Sequence, residues 1–273
     1  MSHAVENCLY KVGRNRRPIA LAFAFFCSFS LISGDCLFDL GDSSGLKRGQ
    51  SSQQFVFPID PSPRTESMLQ EHIQGALENP ENIQLLWELG MDYLELASPA
   101  RWEYLDQASG FFQRLAQRLP DHPFVKMYMG RCLGAQALNM APPVYKRLKW
   151  AKAGFKYMDQ AVALDPDCAF LRLLRGEAAL MAHPFLMRGS KLDEDAAFVT
   201  RLVSTSAFDR LPEYQKARVH LFLGDYLNKK KQAPEEIHQH WSKAIEYAHD
   251  TAIASSARQR LEGKFTSLGY NEG

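Results

Sequence analysis

Cysteine is scarce: five in 273 residues, with no C-x-x-C pair, which excludes a disulfide scaffold or a zinc cluster as the organising element. Cys8, Cys27 and Cys36 lie towards the N-terminus. Cys132 and Cys168 sit among apolar residues, where a free thiol serves as a small hydrophobe. Phosphate-cradling glycine loops, dinucleotide fingerprints and H-E-x-x-H are all missing, so nucleotide and zincin chemistry have no motif to stand on. An excess of one charge is missing too. Of 32 basic and 31 acidic residues, Lys11, Arg14, Arg16, Arg17 and Glu6 fall within 1–33, which leaves 28 basic and 30 acidic residues for the body. A near-neutral body offers nucleic acid no electrostatic footprint. Runs of alternating β-branched residues are absent, so no sheet is expected.

The longest apolar run, from Ile19 to Ile32, is short of the roughly 20 residues a bilayer-spanning helix needs. It follows the basic stretch K-V-G-R-N-R-R and ends in the small residues Ser33 and Gly34. That order is a secretory signal, residues 1–33, with cleavage expected near Ser33 or Gly34. An uncleaved anchor is the rival reading and would be the chain's only membrane attachment. Lipidation at Cys36 is disfavoured, because Asp35 stands where lipoprotein signals carry a small residue. The chain is therefore expected to be exported, and periplasmic or envelope-associated if bacterial.

Residues 34–67 are rich in Gly, Ser, Gln and Pro and read as a linker. From 68 to 273 the character changes. Leu85, Leu89, Tyr93 and Ala97 recur at helical spacing, as do Ala151, Phe155, Met158 and Val162. Breaks fall at Pro99, Pro120 to Pro123, Pro142-Pro143, Pro166, Pro184, Pro212 and Pro234. The segments between them predict about nine helices, in four hairpin pairs plus a C-terminal cap.

A repeat shows within this region. Ala108, Phe112, Leu115 and Pro120 align with Gly154, Met158, Ala161 and Pro166 at identical intervals, and Gly130 and Gly176 follow the two prolines at the same distance. Together with A-V-A-L-D-P (Ala161–Pro166) and the cores around Gly90 and Gly224, this pattern resembles the tetratricopeptide repeat (TPR). The glycines lie 40, 46 and 48 residues apart, against about 34 in a standard TPR. The resemblance implies an all-α, TPR-like array of helical hairpins (an α-solenoid) with a capping helix. It also implies that the first helix of each pair lines a groove for a protein or peptide. Counted from each glycine, that lining comprises Gln84, Trp87, Met91, Met127, Arg131, Glu177, Arg218, Asp225 and Asn228. The alternative is a small-molecule-binding, transporter-associated protein; no catalytic residue, metal site or cofactor is expected.

Four further patterns bear on function. G-D-S-S-G (Gly41–Gly45) resembles a hydrolase nucleophile segment, but it lies in the linker without strand-turn-helix context and is read as linker. His238 and His240 lean to different sides of a helix and are read as solvated. Lys149, Lys152 and Lys156 form a basic stripe, read as a solvated face or else a landing site for an acidic peptide. Arg172 and Arg175 are expected to form structural ion pairs with Asp159 or Asp193.

Overall fold

Capping side chains and prolines fix where the helices begin. A computed structural model describes residues 64–263; the signal segment 1–33, Cys36, Ser43, Ser44 and nearly all of the linker lie outside them. Helix α1 (Glu66–Glu78) starts ahead of the expected boundary at 68, because the Thr65 hydroxyl accepts the Met68 N–H at 3.2 Å and so caps it. Helix α2 (Ile83–Leu96) is capped by Asn82, which accepts from Gln84 and Leu85. After α3 (Glu103–Arg118), helix α4 (Pro123–Leu138) opens on proline, whose missing N–H would have had no partner there. There follow α5 (Val144–Leu164), α6 (Ala169–Leu180), a 3-10 turn (Pro184–Leu186), α7 (Gly189–Val203) and α8 (Ser206–Asp209). Helices α9 (Glu213–Lys229), α10 (Pro234–Tyr247) and α11 (Ala252–Leu261) complete the described residues.

The protein is all-α. Among the described residues there is no strand, only an isolated bridge between Ser98 and Arg101. The prolines read as breaks fall in connections or on first helical residues, but α1 and the short α8 add two helices to the nine expected. No described helix is long and apolar enough to cross a membrane.

The four most extensive helix contacts join α2 to α3, α4 to α5, α6 to α7 and α9 to α10. Glycine makes the closest of these possible. A Cβ on Gly130 would lie 2.6 Å from the Gly154 carbonyl oxygen, and one on Gly154 would lie 2.7 Å from that of Gly130. Backbone thus meets backbone between α4 and α5. Gly90 lies against the Phe112 ring of α3 and Gly224 against the Trp241 ring of α10, so three pairs use the glycine in one way. Pair three departs from this: Gly176 receives Phe222 from α9, with Asp195 of its own partner α7 farther off.

Three apolar clusters run along the chain, and shared residues join them. Phe155 and Phe170 pack on the first and second, Tyr214 on the first and third. In the first, the Trp87 ring meets Phe112 and Tyr128 edge-on at 5.5 and 5.1 Å, tying pair one to α4. Such aromatic pairs contribute about 0.5–1.5 kcal/mol each beyond their buried area. Cys132 and Cys168 are both buried in the first cluster; Cys168 is disulfide-bonded, which corrects its reading as a simple hydrophobe.

Candidate functional site

The residues counted from the glycines lie mostly inside the protein. Trp87, Met91 and Met127 are core residues, exposed by 1% or less. Arg131, Glu177 and Arg218 are buried as well, and Asp225 nearly so. Gln84 is half-buried and donates to Glu88 at 2.6 Å, and Asn228 is exposed. The first-helix face is therefore packed at its centre and reaches solvent only at its margins.

Its charged members are engaged inside the protein. Arg218 of α9 donates from Nε and Nη2 to the two oxygens of Glu177 on α6, at 2.7 and 2.6 Å, and its guanidinium lies over the Phe170 ring. This fork geometry joins the first helices of pairs three and four. Asp225 of α9 is gripped the same way by Arg260 of the capping helix, and accepts the Trp241 indole N–H at 3.0 Å. Arg131 lies over the Tyr128 ring, 5.3 Å from its centre. Burial raises Tyr128 and Tyr214, which face Arg131 and Arg218, above the usual phenol range.

At the N-terminal end the same face of α2 carries Glu88, Asp92 and Glu95, at i, i+4 and i+7. Arg64, placed just before α1, donates to Glu88 at 2.7 Å and to Asp92 at 3.1 Å, and His72 pairs with Asp92 at 2.6 Å. Glu95 differs. Burial pushes its carboxyl up to about 8 despite Arg64, Arg131 and Arg218 nearby, so it is protonated at neutral pH. Its Oε1 is enclosed without a hydrogen-bond partner among the described residues. The glycine count found Arg131, Glu177, Arg218 and Asp225 but missed Glu95, Tyr128, Tyr214, Arg64 and Arg260. For these the sequence carries no repeat landmark.

Two other clusters revise the sequence reading. Arg175 pairs with Asp159 at 3.2 Å as expected, but its main partner is Asp195, not Asp193, at 2.6 and 2.8 Å. Asp193 instead turns to Tyr226 of α9 and to Lys230 just beyond its end. Arg172 reaches Glu194 at 2.8 Å and stacks on Phe198. His238 is solvated, but His240 is half-buried: its Nδ1 lies 2.9 Å from Nδ1 of His220, which stacks on Tyr247. Burial, with His240 and Lys243 adding, holds His220 down to about 3. No group of three or more possible metal ligands occurs among the described residues.

Outside, helix α5 presents the basic stripe. Lys149, Lys152 and Lys156 are exposed and carry no ion pair among the described residues. Beside Lys152 and Lys156 a cavity of about 460 Å³ opens to solvent, bounded across from α5 by Leu186 and Arg188. No family model matches the chain, and no curated protein matches it.

Proposed function

We propose that this chain is an exported helical-repeat scaffold of the TPR kind that works by holding a protein partner. The observation that carries this reading is the recurrent hairpin contact: Gly90 on Phe112, Gly130 on Gly154 and Gly224 on Trp241, each between consecutive helices. A unit of this kind cannot cover its own apolar face, so units stack, and stacked hairpins serve as rigid binding platforms. Because the charged first-helix residues are engaged within the protein, the partner's seat is assigned to the exposed surface, with Gln84 and Asn228 as the accessible members of the first-helix set.

One observation favours the second reading, a small-molecule-binding accessory: Glu95, Tyr128 and Tyr214 converge with Arg131 and Arg218 in the interior. Native mass spectrometry of the protein isolated from its own envelope separates the two. A stoichiometric protein partner is expected. A small-molecule adduct with no protein partner would transfer the assignment to the second reading.

A further inference from the structure

The charge of the body is near zero overall, yet it is not evenly spread. Helix α5 carries Lys146, Arg147, Lys149, Lys152 and Lys156 against Asp159 alone. From Lys146 to Lys156 the spacings are three, three and four residues. The stripe therefore follows one side of the helix for about 15 Å at 1.5 Å per residue. The interior clusters described above are neutralised internally; this stripe is not. Lys146 lies against the Trp150 ring, 5.1 Å away, and among the described residues Lys149, Lys152 and Lys156 make no ion pair, because the nearby Asp159 is held by Arg175 and Arg188.

The cavity beside the stripe has a mixed lining. Phe155, Ala163 and Leu186 give it apolar walls, with Lys152 and Lys156 at its edge. Arg188 crosses its far side, stacked over Phe155 at 4.6 Å and bonded to both oxygens of Asp159, at 2.6 and 2.9 Å. That pairing cancels the one carboxylate in the lining and fixes Arg188 as a wall. Met187, between two lining residues, has left-handed backbone (φ 54) and an 84% exposed side chain, and Phe185 is also exposed. An apolar hollow edged by unneutralised cations suits an anion with an apolar anchor.

Resting on the scaffold reading, we propose that the α5 face docks an acidic segment of the partner protein. Its carboxylates would lie along Lys149, Lys152 and Lys156, and one large apolar side chain would enter the hollow over Phe155 and Leu186. Charge complementarity of this kind raises the association rate and selects the partner by sign. An anionic lipid surface would meet the same lysines but would have no need of a hollow with a fixed arginine wall.

The test is fluorescence anisotropy of the full-length protein with a labelled peptide of glutamates flanking a single phenylalanine. Saturable binding is expected, weakened by raised salt. It should weaken further when the peptide's phenylalanine is replaced by serine. The double variant K152E/K156E should lose about tenfold or more in affinity, while R210E, an exposed charge reversal just after α8, should not. Both variants alter exposed side chains, and circular dichroism checks that each stays helical. No saturable binding, or equal binding by K152E/K156E and the unaltered protein, overturns the proposal. So does binding to phosphatidylglycerol vesicles without binding to the peptide. If the native partner is still captured by K152E/K156E while the peptide fails, the scaffold reading stands and this docking site falls.

Discussion

Replacing Gly130 by alanine sets two opposed effects against each other. Inside a helix, alanine is favoured over glycine by about 0.8–1.0 kcal/mol. Against that, the new methyl would sit 2.6 Å from the Gly154 carbonyl oxygen, 2.7 Å from Met158 Cγ and 3.2 Å from the Met158 backbone nitrogen. Met158 could swing its side chain, but a helix carbonyl cannot turn away. Relief requires α4 and α5 to separate by most of an ångström, and a gap of about 0.5–1 Å forfeits a quarter to a half of each contact's attraction. Overpacking of this kind costs about 1–3 kcal/mol, and a contact with backbone belongs at or above the top of that range. The net expectation is a loss of about 2 kcal/mol, or roughly 4–8 °C in Tm for a domain of this size.

Gly110 is the control. It lies on α3, and a Cβ there meets nothing within 4 Å, so only the propensity gain applies. Gly110→Ala should stabilise by about 0.5–1 kcal/mol. Thermal and urea melts followed at 222 nm would show the two substitutions moving in opposite directions. If Gly130→Ala melts as high as Gly110→Ala, the backbone contact between α4 and α5 is not there, and the hairpin register fails with it.

Two further outcomes test the interior. Glu177→Gln strands the buried Arg218 charge and should cost about 3–5 kcal/mol in urea titration, whereas replacing both partners by apolar side chains (E177L/R218M) should recover most of it; a double variant as unstable as the single one would refute the pairing. The His220–His240 pair predicts acid sensitivity: with the folded His220 held to about 3 and the unfolded imidazole near 6.5, the unfolded state binds the extra proton between those values. Stability should therefore be full above about 6.5 and fall as pH drops towards 3. His220→Leu should flatten that part of the profile, and an unchanged slope would rule out the buried neutral imidazole.

The division between what was legible in the sequence and what was not follows the range of the interactions. Helix positions and proline boundaries depend on neighbours within a few residues, and they fall close to where the spacing puts them. Helix α1 starts two residues before the expected boundary at 68 because its cap, Thr65, lies in a stretch whose composition reads as linker. The contact of His240 with His220 is not legible in the sequence, because the spacing of His240 to His238 says nothing about a residue on another helix. For Arg175, three acidic residues, 193 to 195, crowd α7, and only the rotation of α7 against α6 decides that Asp195 turns inward and Asp193 outward.

Electrostatics shows the same limit more sharply. Glu177 and Arg218 are 41 residues apart, and Asp225 and Arg260 are 35 apart. Nothing local marks either pair, yet each buried pair must form together, because half of one would leave an ion in a medium that cannot solvate it. Once those pairs close, their charges vanish from the outside of the molecule. The lysines of α5 then gain a prominence that a chain-wide balance of 32 basic and 31 acidic residues conceals. A near-neutral composition is therefore compatible with one strongly basic helix, because the field a partner meets is set by the charges left unpaired after folding.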